Sequence, residues 1–429
     1  MSFDRKEVLK NILKELHKGV PIEDLKNKLK EVLSEIPPFE IPLIEQELIK
    51  EGIDISEIIK LCDLHVELLR DLLKPKELKE VPKGHPLDLL SRENEQLSKI
   101  TEILNIYASA LSKAKSSEEI ENYLKLINNI VNELRKFRNH YRKIQMLIFP
   151  YLERRGIITV PRVLWNKEDQ AILKIRNLSN LIENAISNYD KYINEIVEKS
   201  FELSKELQDL IFREERILFP SLWILLSEGE WIAIHGIAKE MGYLVNIDEE
   251  WKSEAKPLLP YEIIGTITPE QMNKLPEQFI SSLIPDTYEI KSKDFEFNNG
   301  FLNKEEIEAI FNHLPIEITY ADSNNRVTFF SQSIFRKGFV RTKTILGRKF
   351  EFCHPPRLEK FVSSVVNELI SGKSDFKEYW TKLGDRIIRV MVIAVRNNNG
   401  EHLGILEIVE DLTEIINNSE EVKKKIIIL

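Results

Sequence analysis

His140-Tyr-Arg-Lys-Ile-Gln-Met-Leu-Ile-Phe-Pro150 and Leu210-Ile-Phe-Arg-Glu-Glu-Arg-Ile-Leu-Phe-Pro220 read as two versions of one stretch. Both carry a basic residue at the fourth position, Lys143 and Arg213, and both close on two apolar residues followed by Phe-Pro. Each falls late in a long helical periodicity, so the proline marks a kink or a helix end. The middle positions differ. His140 overlays Leu210, while Glu214 and Glu215 overlay Ile144 and Gln145, so the composite reads His-x-x-x-Glu-Glu. Residues four apart on an ideal helix differ by about 40° around the axis, the spacing of two ligands on one face. The second Glu, Glu215, falls roughly 140° from position 210 and is less well aimed.

Composition bounds what such a pattern can belong to. With 429 residues, 42% of them hydrophobic, the chain can bury two or three separate cores. A net charge of −9 without any basic block argues against a nucleic-acid surface or a polybasic membrane patch. The N-terminus lacks the apolar core of a signal peptide and no apolar run approaches the span of a bilayer, so a cytoplasmic location is expected. Cys62 and Cys353 are isolated, which speaks against a disulfide framework.

Residues 1–74 read as a small helical domain, with apolar residues at helical spacing and breaks at Gly19, Pro21, Pro37, Pro38 and Gly52. Cys62 and His65 lie three apart on one predicted helix. They suit two ligands of a metal, or a buried thiol beside a hydrogen-bonded imidazole; a closed zinc site needs four ligands. A charged, proline-interrupted linker follows over 74–84. From 84 to 246 long amphipathic patterns at 85–112, 117–153, 166–196 and 197–226 predict an up-and-down four-helix bundle, and His85, His140, Glu168 and Glu214 supply one metal-ligating side chain to each helix. Residues 247–300, punctuated by Pro257, Pro260, Pro269, Pro276 and Pro285, read as an extended, partly helical connector.

The period changes to two in residues 301–417. Ile316–Asp322 and Val327–Ser331 alternate around the turn Ser323-Asn-Asn-Arg326, a hairpin. A helix is predicted at 356–371 and further strands at 376–383, 386–396 and 402–411.

Several of these motifs resemble a known family. Gly84-His85-Pro-Leu-Asp-Leu-Leu-Ser-Arg-Glu93-Asn94, then Asn139-His140 through Glu153, Leu164-Trp165-Asn-Lys-Glu168-Asp169 and Glu214-Glu215 through Pro220 resemble a hemerythrin-like (HHE cation-binding) bundle. Glu45-Gln-Glu-Leu-Ile-Lys-Glu-Gly52 with Cys62-Asp-Leu-His65 is similar to the uncharacterised helical domain that precedes such bundles. Phe330-Ser-Gln332, Arg341-Thr-Lys, Ile345-Leu-Gly-Arg348, Cys353-His-Pro-Pro356 and Trp380 resemble the PAS-like module that ends the same three-part family. The resemblance implies an all-α N-terminal half, a helical domain plus a four-helix bundle, followed by an α+β PAS-like domain with a five-stranded antiparallel sheet.

It also implies a metal site made by His85, His140, Glu168 and Glu214, with Glu93 and Glu215 as further ligands. Three positions depart from the family pattern: Gln145 stands where an acid is usual, Glu168 where a His is usual, and Asp88 where a second His often follows His85. Two histidines with several carboxylates suit iron or manganese, one or two ions, rather than a histidine-rich oxygen carrier. The competing reading is a degenerate polar layer, and burial decides, because a carboxylate inside a bundle costs several kcal/mol unless a cation offsets it. In the PAS-like module Cys353 or His354 could ligate haem iron, or Pro355-Pro356 could simply open a helix beside a hydrogen-bonded imidazole. The ligand of that module is not legible.

No kinase core, P-loop, helix-turn-helix or catalytic triad is legible. The expectation is a sensor or regulator that acts on a separate output protein or pairs through its PAS-like domain, with no nucleic-acid or membrane partner. The bundle would respond to metal, oxygen, nitric oxide or redox state, and the connector would pass the change on. The alternatives are a di-metal carboxylate enzyme working on peroxide, nitric oxide or ferrous iron, and a scaffold whose bundle has lost its metal.

Overall fold

A computed structural model describes residues 5–21, 24–25, 47–48, 51–53, 80–185, 189–263, 283, 285–290, 294–333 and 341–426. The chain divides into two compact units, Met1–Glu289 and Ile290–Leu429.

In the first unit, helix α1 (Arg5–His17) buries Ile12 and sends Lys10 and Lys14 to Glu51, the latter at 2.6 Å. Cys62 and His65 lie outside the described residues. The bundle begins with α2 (Pro86–Leu111) and α3 (Ser117–Lys136). Leu90, Leu97, Leu104 and Leu111 recur every seventh residue along α2, and Ile120, Leu124, Ile127, Val131 and Leu134 alternate by four and three along α3, so each helix lays one apolar stripe into a shared core. A capping box closes the start of α3: Ser116 accepts from the Glu119 N–H, and the Glu119 carboxylate accepts from the Ser116 N–H.

The second rod continues through α4 (Arg138–Lys143), a π turn (Ile144–Ile148) and α5 (Phe149–Arg154). The third is α6 (Thr159–Ala185). The fourth is α7 (Tyr189–Arg213), a π turn (Glu214–Leu218) and α8 (Phe219–Leu225), with α9 (Glu228–Met241) after it. The repeated stretches therefore share a backbone form. In each the Phe N–H reaches five residues back, Phe149 to Ile144 and Phe219 to Glu214. Pro150 and Pro220 have no N–H for an α-type bond and their rings crowd the carbonyl four residues earlier, which loosens the turn into the wider form.

The third and fourth rods differ from the sequence expectation. The third begins at Thr159 and ends at Ala185, not 166–196. Pro161 sits in its first turn, where a missing N–H breaks no helical bond. The sequence holds no Gly or Pro between Ala185 and Tyr189, so periodicity alone misplaces the start of α7. Parts of the expected connector belong to the bundle's own core. Ile263 and Leu283 join its apolar cluster, Tyr151 donates to the Leu258 carbonyl at 2.8 Å, and Arg154 holds Asp286 at 2.8 Å and the carbonyls of Ile263 and Tyr288. Gly84 adopts a positive φ of 75°, and a Cβ there would stand 2.0 Å from the Glu249 carbonyl oxygen, so only glycine lets the 249–251 segment lie across the start of α2.

The second unit opens with a hairpin, β1 (Phe295–Phe297) and β2 (Gly300–Leu302), then α10 (Lys304–His313), capped by Asn303. A five-stranded antiparallel sheet follows in the order β4-β3-β7-β6-β5, with β3 Glu317–Asp322, β4 Val327–Phe330, β5 Phe376–Leu383, β6 Arg386–Arg396 and β7 His402–Asp411. Helix α11 (Pro356–Ile370) packs Val362, Val365, Val366 and Leu369 in one core with Ala321, Val392 and Ile405. Strand alternation puts Glu317 and Thr319 on the same face as Ala321, and Glu407 on the same face as Ile405.

Candidate metal centre

His140, on α4, is fully buried and lies between two carboxyl groups. Its Nδ1 is 2.6 Å from Glu93 Oε2 on α2, and its Nε2 is 2.9 Å from Glu214 Oε2, which opens the second π turn. Burial by itself would lower the imidazole pKa. The charge and hydrogen bond of Glu214, joined by those of Glu93, overcome it and raise the pKa to about 10. Glu93 is saturated. Its Oε1 accepts from Lys143 Nζ at 2.6 Å and from the Leu244 N–H at 2.7 Å. Burial pushes its pKa up, but the bond to His140 and the charges of His140 and Lys143 hold it below the usual carboxylate value. Lys143 also donates to the Gly242 carbonyl at 3.0 Å and lies over the Tyr243 ring, 4.5 Å from its centroid. Burial pulls the lysine's pKa down, and Glu93 opposes it.

Asn94, the next residue of α2, ties the two acids of the second repeat together. Its Nδ2 donates to Glu214 Oε2 at 2.8 Å and to Glu215 Oε1 at 3.1 Å, while Ser91 donates to Glu215 Oε2 at 3.0 Å. Glu168, on α6, accepts from Gln145 Nε2 at 2.7 Å. Burial, then the nearby charge of Glu214, push its pKa well above the carboxylate range. Around this network Glu168 Oε1, Glu214 Oε1, Asn94 Oδ1 and the Tyr141 hydroxyl are buried and have no hydrogen-bond partner among the described residues.

The structure thus brings together His140, Glu93 and Glu214 directly, Glu215 through Asn94, and Glu168 only through its electrostatic reach to Glu214 and His140. His85 does not join them. It stands eight residues before Glu93, about 12 Å along the helix. There it serves as the N-cap of α2: Nδ1 accepts the Leu87 N–H at 3.1 Å, which leaves the ring proton on Nε2, the wrong tautomer for a metal ligand on that nitrogen. Trp223, Trp231 and Trp251 enclose the ring at centroid distances of 5.3, 4.9 and 4.6 Å. Burial, with a smaller push from His235, lowers the His85 pKa to about 3. Placing His85 among the ligands is therefore corrected by its capping bond.

Sequence reasoning noted Lys143 only as the basic position of the repeat and passed over Asn94 as a donor. The clue to Asn94 was its place beside Glu93, more than two turns into α2. Among the described residues no three His, Cys, Asp or Glu side chains converge as a ready metal-ligand set.

In the second unit Arg341 lies against the sheet's inner face. It donates to Glu317 at 2.5 Å, Glu407 at 3.0 Å and Thr319 at 2.7 Å. His354 packs in with Nε2 3.6 Å from Glu407 and Nδ1 3.1 Å from the Phe350 carbonyl; burial lowers its pKa, but Glu407 raises it more. Cys353 is exposed and points its sulfur toward the Lys349 carbonyl. Both residues lie just before α11, which opens at Pro356.

The two architectures define a helical bundle of cation-binding type and an α+β sensory fold, and comparison with known families agrees. Residues 85–222 match the hemerythrin HHE cation binding domain, 307–413 match the PAS domain, and 9–75 match a family of unknown function, DUF438. The chain is a DUF438, hemerythrin-like and PAS protein in that order. Among solved structures it is similar to a C-terminal domain from Streptococcus mutans, with 30% identity over 30% of this chain and 98% of that one and a TM-score of 0.28. It is also similar to a PAS domain from Colwellia psychrerythraea, with 15% identity over 26% and 97% and a TM-score of 0.22. A search of curated proteins finds no match. No described helix is long and apolar enough to cross a membrane.

The hemerythrin family implies a metal cation for this bundle. The residues present fit one by the chemistry of the donor set. The three orphaned acceptor oxygens make an oxygen-rich interior short of positive partners, the chemistry of a hard cation.

Proposed function

We propose that the protein is a cytoplasmic sensor or regulator whose hemerythrin-like bundle holds iron or manganese and responds to metal, oxygen, nitric oxide or redox state. Its PAS domain then engages a small ligand, a separate output protein or a second copy of the chain. The observation that carries this reading is the buried His140–Glu214 contact amid unpartnered acceptors on Glu168, Glu214 and Asn94. Glu214, Glu168 and His140 Nε2 would hold the ion, and Glu93 would orient the imidazole through Nδ1. When bound, the ion supplies a centre whose charge changes with oxidation or with an added ligand.

The chain's own part is mechanical. His140, Glu214 and Glu168 come from three different rods, so any change in what they hold alters how α4, the second π turn and α6 pack. Hydrogen exchange on iron-loaded protein, oxidised against reduced, tests the reading. Changed protection is expected both in the bundle and in the PAS unit. A change confined to the bundle contradicts a sensor.

Arg341, held between Glu317 and Glu407 on the inner face of the PAS sheet, supports a partner over an internal cofactor as what the PAS unit engages. A second reading, a scaffold with a metal-free bundle, draws on one observation: Lys143 already neutralises Glu93. Protein that binds no metal under iron or manganese loading would favour it.

A further inference from the structure

We infer that the bundle takes a single cation, and that the Lys143 ammonium permanently occupies the place a second positive charge would need; this rests on the metal-binding reading above. Lys143 is 1% exposed and is held from several sides, by Glu93 Oε1 at 2.6 Å, the Gly242 carbonyl at 3.0 Å and the Tyr243 ring. The segment that supplies those contacts is itself pinned, because Asn139 Nδ2 donates to the carbonyls of Met241 and Gly242 at 3.0 and 2.8 Å. The ammonium is thus built into the layer as firmly as a core side chain.

Its consequence is to close Glu93. One oxygen of that carboxylate serves Lys143 and the Leu244 N–H, and the other serves His140 Nδ1. Glu215 is closed in the same way, one oxygen taken by Asn94 and the other by Ser91. The acceptors left without partners are Glu168 Oε1, Glu214 Oε1 and Asn94 Oδ1, and His140 Nε2 faces Glu214 Oε2. That is enough oxygen and nitrogen for one hard or borderline divalent ion. A second ion of the same kind needs its own set of roughly four to six ligands, and none remains. Gln145, neutral and donating to Glu168, removes the bridging acid a pair of ions would share.

The experiment loads the full chain with Mn(II) and reads metal per chain together with the low-temperature electron paramagnetic resonance spectrum. The expected result is one Mn per chain with the hyperfine pattern of an isolated Mn(II) spin. Two Mn per chain with an exchange-coupled spectrum would overturn the single-ion inference while leaving the metal-binding reading intact. No bound Mn would overturn the metal-binding reading and this inference with it. Lys143→Arg keeps the charge and is expected to stay at one Mn. Lys143→Gln frees Glu93 from its cation and is expected to rise above one; a value fixed at one would show that Lys143 does not set the limit. The wild-type measurement decides the main question even where a variant does not fold.

Discussion

His140 and His85 are buried imidazoles of the same bundle, and their surroundings drive them apart. His140 lies between two acids and has its pKa raised to about 10; His85 lies among three tryptophans and is lowered to about 3. Burial opposes the charged form of both, so burial cannot account for the difference. The neighbouring charge does. One ring is placed to balance carboxylates and offers its second nitrogen to Glu214, while the other is kept neutral so that its Nδ1 can cap a helix. A histidine in a cation-binding motif can therefore do either kind of work, and its hydrogen bonds tell which.

The largest effect is expected where the polar layer is cut. Lys143→Met leaves Glu93 buried and short of its cation, and chemical unfolding should show a loss of about 3–5 kcal/mol. Lys136, paired with Glu133 at 2.7 Å on the exposed face of α3, is the control: Lys136→Met should cost under about 1 kcal/mol. Equal losses at the two lysines would contradict a buried ion network.

The two histidines should also respond to pH in opposite senses. The His140 pKa is raised above its unfolded value of 6.5, so its stabilising contribution is complete below that value and is lost as pH climbs toward about 10. Unfolding free energies measured across that range should fall in the wild type and stay flatter in His140→Asn; parallel curves would refute the assignment. The His85 pKa is depressed, so its contribution is present above 6.5 and is lost as pH falls toward about 3. Tryptophan emission should change over that acid range and should not in His85→Ala, which by itself costs about 1 kcal/mol for the lost cap. The smallest effect is at the rim, where Glu215→Gln keeps an acceptor for Asn94 or Ser91 and should shift stability by less than about 0.5 kcal/mol in the same unfolding measurement.

Much of the second unit was legible because strands announce themselves with a period of two and turns with particular residues. The predicted strands at 376–383, 386–396 and 402–411 coincide with β5, β6 and β7. The bundle was legible as four rods, but the start of α7 at Tyr189 was not, since no Gly or Pro precedes it nearby. In the site, overlaying the repeats put position 140 and Glu214 on one face, and the two side chains do meet, across two rods instead of along one. Glu214 is buried and Glu215 lies at the edge of the network, as ideal helix angles suggest, even though the helix there widens into a π turn.

What could not be read were roles set by distant backbone. The place of His85 depends on Gly84 admitting the 249–251 segment that brings Trp251. The burial of Lys143 depends on the Gly242 carbonyl and Tyr243, a hundred residues on. A local pattern contains neither.

The most direct test is metal content after growth in iron, measured side by side for the wild type, His85→Ala and His140→Ala. Bound metal is expected in the wild type, retained in His85→Ala and lost in His140→Ala. Equal metal in His140→Ala and the wild type, or loss in His85→Ala with retention in His140→Ala, would contradict the assignment of the centre to His140.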